Sequence, residues 1–348
     1  MDGFSVSRIK QLATRAIVIL AATLAFGGLI LSMLWRDRDS LADIDVARAP
    51  TTQKLSSPVT ATWFGVATLL FDDGETQILI DGFISRPTLF DLLTSRPVNS
   101  DFATINFFLN EYRVRRLAAI IPVHSHFDHA MDVGALGNRT SASILGSAST
   151  AQVARGAGVP EDQIVVAESG VEYQFGQFTI TLIESNHGPI GFGGSVPYAG
   201  NIDEPLNLPS PANAWREGGS YSVVVAHPSG TTLVQGSGGV KESALDAIEV
   251  DVAMLGTAMI ESLGTDYVER YWQSTVTATG ATTAIPIHFD DFTRPFGVTE
   301  LLPTFLDDFG AMLKELEEQR QTWDSDTRLY IPVFGEAIPL YPESPPEA

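Results

Sequence analysis

Three imidazoles and a carboxylate stand within the six residues His124-Ser125-His126-Phe127-Asp128-His129. Neutral imidazole nitrogens and carboxylate oxygens bind zinc at about 2.0–2.2 Å, and a cluster of them is what converging coordination requires. The pattern H-x-H-x-D-H is expected by chance only about 10⁻⁴ times in a chain of this composition. Metal binding by His124, His126, Asp128 and His129 is therefore the reading. Two further histidines stand at apparent strand ends, His187 in Glu184-Ser185-Asn186-His187-Gly188-Pro189 and His288 after Ile285-Pro286-Ile287. A lone strand-end histidine is ordinarily just a polar residue, but two of the chain's six beside such a motif are ligand candidates. His227, followed by Pro228-Ser229-Gly230, reads instead as a turn residue between two strands.

The elements that must position these residues are legible around them. Ala118–Val123 is a buried-strand run that delivers His124 at its end, where alternate residues point the same way. Val59–Phe64, Ala67–Phe71 and Gln77–Asp81 form an opening β-meander around Gly65 and the turn Asp72-Asp73-Gly74. Further strands are expected at Ser143–Leu145, Phe178–Leu182, Tyr221–Ala226, Thr231–Gln235, Val250–Leu255 and Ala284–Ile287. Helices are expected over Tyr267–Ala278 and Leu301–Glu318, the second from the spacing of Phe305, Phe309, Met312, Leu313 and Leu316. Interleaved strands and helices imply a layered α/β domain with sheets inside and helices outside.

With these residues in view, the chain resembles the metallo-β-lactamase fold superfamily, nearest to its ascorbate-6-phosphate lactonase-like and N-acylphosphatidylethanolamine phospholipase D-like branch. The resemblance spans roughly residues 59–340. It rests on Thr62-Trp63-Phe64-Gly65, Ile80-Asp81, the H-x-H-x-D-H segment, His187, the Gly236 region and Pro286-Ile287-His288. It implies a four-layer αββα sandwich with the metal site at one edge between two sheets. It further implies a first site of His124, His126 and His187, and a second of Asp128, His129 and His288. The family's bridging Asp falls at Gln235-Gly236-Ser237-Gly238-Gly239, where this chain has Ser237. One tight site and a weaker second one are expected, filled by Zn²⁺ or, as the alternative, Mn²⁺.

Three neutral histidines leave zinc a fourth position, the catalytic arrangement, and water bound there has its pKa lowered to about 7. Asp128 would orient that water, bind a second metal, or do both. Asp290 and Asp291, just past His288, are candidates to support the ligands or protonate a leaving group, against the reading of a solvated loop. From Gly188 to Gly219 runs an irregular segment with seven Gly and five Pro. Irregular stretches this long are uncommon in compact domains unless they bind, cover a site or are disordered. Phe192, Tyr198, Leu206, Leu208 and Trp215 are its candidates for lining a substrate pocket, unless they merely pack down on the domain.

Ala16 to Trp35 contains no charged residue, and at about 1.5 Å per residue it reaches roughly 30 Å, one hydrocarbon thickness. A transmembrane helix over 16–35 is expected, after a short tail at 1–15. A cleaved signal peptide is the nearer rival, although the run exceeds the usual 7–15 apolar residues. The linker is placed at 36–58, the hydrolase domain at 59–340 and a C-terminal tail at 341–348. Flanking basic residues are nearly balanced, and the orientation favoured puts the domain on the non-cytoplasmic side, periplasmic or extracellular.

With 21 Lys and Arg against 42 Asp and Glu and no Cys, the chain excludes thiolate metal sites, cysteine nucleophiles and disulfides. It also argues against a nucleic-acid partner, since clustered cations supply that affinity. The expected function is a membrane-anchored hydrolase using metal-bound hydroxide on a lactone, ester, amide or phosphodiester of a small or lipid-like substrate. The alternative is a metal-stabilised binding or sensor module with little turnover, which Ser237 favours.

Overall fold

The computed structural model describes residues 3–52 and 56–342. Most of the expected C-terminal tail lies outside them, as do residues 53–55 of the expected linker and the first two residues. The chain opens with helix α1 (Gly3–Arg36), which runs through most of the expected tail because no Gly or Pro interrupts Phe4 to Phe26. Over Lys10–Arg36 its mean hydropathy is 2.5, long and apolar enough to cross a membrane.

After α1 the strands are β1 (Thr60–Trp63), β2 (Leu69–Asp72), β3 (Gln77–Ile80), β4 (Pro97–Val98), β5 (Leu117–Ile121), β6 (Ser143–Gly146), β7 (Ile164–Val166) and β8 (Glu172–Phe175). The remainder are β9 (Phe178–Ser185), β10 (Ser210–Pro211), β11 (Ser220–His227), β12 (Gly230–Gln235), β13 (Val252–Gly256), β14 (Thr283–Ile287), β15 (Arg328–Leu329) and β16 (Ala337–Pro339). The helices are α2 (Leu89–Leu93), α3 (Phe102–Glu111), α4 (Phe127–Ala130), α5 (Val133–Thr140), α6 (Ala148–Gly156), α7 (Thr265–Trp272) and α8 (Phe309–Trp323).

Two seven-stranded sheets organise them, one ordered β16-β1-β2-β3-β5-β6-β7 and the other β15-β14-β13-β12-β11-β9-β8. Strand alternation divides the first sheet's side chains between two cores. Ala61, Trp63, Phe71, Ile78, Ile80 and Ile121 share one core with Ile180, Leu182, Val225 and Leu233 of the second sheet. Their neighbours Leu70, Leu79, Ile120 and Ile144 turn the other way, onto Ile105, Phe108, Leu136 and Val153 of α3, α5 and α6. Val268, Trp272, Met312 and Leu316 bring α7 and α8 into the core of the second sheet.

Register brings several strand ends to one edge. β3 and β5 run parallel with Ile80 beside Ile121, and β13 and β14 parallel with Gly256 beside Ile287. Gln235 closes β12 beside Leu255, while Ser185 ends β9 opposite Ser220. Asp81, His124, His187, Ser237 and His288 all lie within three residues beyond these ends. The two sheets are joined there, since Tyr221 N donates to Val123 O at 2.9 Å and His288 N to Val66 O at 2.8 Å.

Two expected elements differ. The segment read as a linker is docked over its described part: Ala49 is buried, Ala49 N donates to Ile331 O at 2.9 Å, and Leu41, Ile44 and Val46 pack on the core. Its isolated apolar residues, too sparse to show a period, each find a core contact. The helix expected from Leu301 begins only at Phe309, because Asp308 caps it by accepting from Ala311 N, and Leu301 pairs with Asp290 in a β-bridge. Phe305 is consequently half exposed and meets Trp35 at a ring distance of 6.2 Å. The helix expected over Tyr267–Ala278 is present as α7 followed by a π-turn over Gln273–Thr277.

Candidate metal centre

β5 ends on Ile121 and delivers His124, fully buried, while His126 stands at the N-cap of the one-turn helix α4 that carries Asp128 and His129. His187 follows β9, and His288 follows β14 with φ +58°, a left-handed conformation uncommon outside glycine. Five imidazoles thus form one cluster. Ring centroids lie 4.6 Å apart for His124–His126, 4.8 Å for His124–His187, 3.9 Å for His124–His129 and 5.1 Å for His129–His288.

Two groups of ligand atoms emerge, His124, His126 and His187 in one and Asp128, His129 and His288 in the other, each with its atoms within 4.8 Å of one another. Asp128 Oδ2 lies 3.6 Å from His129 Nε2 and 3.4 Å from His288 Nε2. His124 Nε2 faces His126 Nδ1 at 2.9 Å.

The partners behind the rings test whether a metal suits these sites. His126 Nε2 donates to Pro197 O at 2.9 Å, His187 Nδ1 to Gly188 O at 2.8 Å, and His129 Nδ1 to Asp81 Oδ2 at 2.6 Å. In each case the proton is held on the outer nitrogen and the other nitrogen presents its lone pair inward, as metal ligation requires. Burial, reinforced by neighbouring rings, keeps His124 well below the ordinary imidazole range and takes His126 down to about 3. Burial also lowers His187, against the pull of the Gly188 carbonyl. Neutral imidazoles are the metal-binding form, so the donor set fits. His129 goes the other way, since Asp81 and Asp128 on either side raise it despite burial. Burial favours protonated Asp128, but His129 and His288 outweigh it and hold the carboxyl below its ordinary range.

Beside the cluster is a cavity of about 250 Å³, whose apolar walls include Leu92, Ile190, Tyr198, Met259, Phe292 and Leu302. His126, His187, Asp128, His288, Ser237 and Asp290 supply its polar floor. Ser237 is nearly buried, and its hydroxyl donates to Asn186 O at 3.3 Å. Gly239 is required beside it, because a Cβ there would meet the Asn186 and His187 backbone at 2.5 Å.

Other expected residues are placed elsewhere. Trp215 is fully buried in the core under α3 and α5, with Leu206 and Ala212, so it lines no substrate pocket. Phe192 is fully exposed. Of the five pocket candidates in this segment, Tyr198 alone lines the cavity. The loop divides because its second half buries large apolar surface on the domain, while its first half remains at the cavity mouth. Asp290 Oδ1 accepts from Val66 N at 2.6 Å, fixing a turn in which a Cβ on Gly65 would collide with Arg86 and Asp290. Asp291 pairs with Arg38 at 2.7 Å and with Arg294 at 3.3 Å and belongs to neither ligand group. Glu242 is exposed and does not line the cavity. His227 closes β11 opposite Gly230 in a hairpin, as read from its flanking residues.

Asp81 and Asp132 had no site role in the sequence reading. Asp81 accepts from both His129 Nδ1 and Val123 N, while Asp132 accepts from Ile84 N, Ser85 N and Ser85 Oγ, tying the loop after β3 to α4 and α5. Their only signal was Asp-Gly after a strand and an acid in the first turns past the histidines.

Residues 61–201 match the model of the metallo-beta-lactamase superfamily. Over those residues the chain is similar to that superfamily. The match includes His124, His126, Asp128, His129 and His187, while Ser237 and His288 lie beyond it. A relative named UPF0173 metal-dependent hydrolase from Pyrobaculum islandicum is 22% identical over 233 residues, 66% of this chain and 84% of the relative. A second of that name, from Myxococcus xanthus, is 28% identical over 171 residues, 49% of this chain and 52% of its own length. A solved structure described as a possible metal-dependent hydrolase from Veillonella parvula superposes with a TM-score of 0.50 at 16% identity, covering 82% of this chain and 100% of the other. That likeness shows a shared α/β fold.

Proposed function

We propose that this protein is a membrane-anchored metal-dependent hydrolase acting on a lactone, ester, amide or phosphodiester of a small or lipid-like molecule. The observation that carries the reading is the pair of converging ligand groups, with His126 and His187 each fixed by a backbone carbonyl behind the ring. Relatives bearing the name metal-dependent hydrolase support it. In this reading His124, His126 and His187 hold one ion, and Asp128, His129 and His288 a second, in the four-layer arrangement of the lactonase-like and phospholipase D-like branch. Zinc is the proposed metal, with manganese the alternative. A bound dication supplies Lewis acidity and acidifies water.

The chain's own residues do the rest. Asp128, held ionised between His129 and His288, orients water by accepting its hydrogen bond. The apolar walls bind the non-reacting part of a substrate and exclude water. α1 anchors the protein, because none of its most apolar stretch is buried against the domain and such a surface is stable only in an apolar phase. The domain would then face away from the cytoplasm, and no nucleic-acid partner is proposed.

A second reading, a metal-stabilised binding module with little turnover, draws on Ser237, since Asp128 belongs to the second ligand group alone. Metal analysis of the full chain in detergent, with a panel of lactones, esters, amides and phosphodiesters, separates the two. Hydrolysis that requires metal and is lost in His126→Ala, together with bound metal and melting temperature, supports the enzyme. Full metal content in His126→Ala would remove the site assignment.

A further inference from the structure

The end of α1 is fastened to the same segment that walls the cavity. Arg38 donates to Asp291 Oδ2 at 2.7 Å and to Leu301 O at 2.6 Å, Thr304 N donates to Asp37 O at 3.0 Å, and Trp35 meets Phe305. Asp290, Phe292 and Leu302, adjacent in sequence to those contacts, line the cavity. The helix therefore leaves the domain at the mouth of the metal pocket, with Trp35, Arg36 and Arg38 as the aromatic and basic residues that mark a membrane–water boundary.

Large apolar side chains stand exposed within three residues of the cavity's lining residues in sequence. Leu93 and Phe90 flank Leu92 on α2 and are 76% and 58% exposed; Phe192, two residues from Ile190, is 102% exposed, and Phe305 is 46% exposed. An exposed apolar patch beside a pocket marks a surface that docks on something apolar. With a net charge of -21 the chain is repelled by anionic surfaces, so the contact must come from apolar insertion.

We propose that this rim rests in the interface of the bilayer that α1 spans, holding the mouth of the metal pocket against the membrane. The occupant is the bilayer itself, selected because the chain's own membrane-length helix is fastened to the segment that walls the cavity. An amphiphile then passes from bilayer to ligand cluster without crossing bulk water. The proposal rests on the reading of α1 as an anchor.

The absence of Cys permits single-cysteine labelling of the full chain. Leu93→Cys and Phe192→Cys, with Glu75→Cys as the control on the β2–β3 turn away from the site, are each labelled with a nitroxide and reconstituted in phosphatidylcholine vesicles. Flotation reports anchoring, and the ratio of oxygen to nickel-chelate accessibility reports depth. The expected result is a floated protein whose ratio at 93 and 192 is several-fold above that at 75. Equal ratios at all three positions in floated protein would overturn the rim's docking and leave the anchor standing. A chain that fails to float would overturn the anchor and the proposal with it.

Discussion

Asp81 shows how much of the centre depends on a residue that never touches the cavity. Its two oxygens join β5 to His129, and that bond fixes the proton on His129 Nδ1. Removing such a partner typically weakens metal binding about 10–100-fold. Asp81→Asn should accordingly lose about tenfold in affinity at the second site and far less at the first, which titration against a chelator would resolve. Equal weakening at both sites would mean that Asp81 supports the fold of the edge and not the ring of His129. Ser237 gives the opposite expectation. A neutral hydroxyl cannot supply the charge that a carboxylate shares between two dications, so one tight and one weaker ion are expected, and Ser237→Asp should tighten the second. Two equally tight ions in the unmutated protein would show that another carboxylate already fills the gap.

At the scale of elements, the loop from Gly188 to Gly219 does two jobs that its composition does not separate. Its second half is a structural patch: Trp215 is fully buried with Ile202, Leu206 and Ala212 in the core under α3 and α5. Trp215→Ala should cost about 3–5 kcal/mol of stability in chemical denaturation, the usual penalty for emptying a large aromatic site. Its first half carries Tyr198, half exposed at the cavity wall. Tyr198→Ala should change stability by less than about 1 kcal/mol and act on KM for a hydrolysed substrate. A Tyr198→Ala protein as unstable as Trp215→Ala would show that the whole loop is a structural plug.

For the whole molecule, stability should carry a pH signature from outside the metal cluster. Asp307 is buried, with one oxygen accepting from Met259 N at 3.1 Å and the other unpaired. Burial raises its carboxyl from 3.8 to about 7. A raised folded-state value means the folded protein retains a proton that the unfolded chain releases, so stability falls as pH rises from about 4 to 7. Asp307→Asn keeps an acceptor for Met259 and removes the titration. Its stability should match the parent's below about pH 4 and exceed it at pH 8, by on the order of 1–3 kcal/mol. An unchanged difference between the two proteins across that range would mean that Asp307 stays ionised through a partner.

Local chemistry determined the histidine motif, the strand that delivers it, the apolar run of α1 and the alternating strands that build two cores. Each of these depends on residues close to one another in sequence, where spacing and composition alone specify the element. His187 and His288 were readable as candidates because each follows an apolar strand, but their convergence with His124 depends on contacts between distant elements, such as Tyr221 N with Val123 O and His288 N with Val66 O. The roles of Asp81 and Asp132 were hidden for the same reason, since a carboxylate after a strand is ordinary until a ring or an amide from another element meets it. Trp215 and Phe192 looked alike as aromatics in a Gly- and Pro-rich loop, and only packing separated a buried anchor from an exposed rim. The docking of Arg38 on Asp291 joins residues 253 positions apart, a contact that no local pattern encodes and that tertiary structure alone decided.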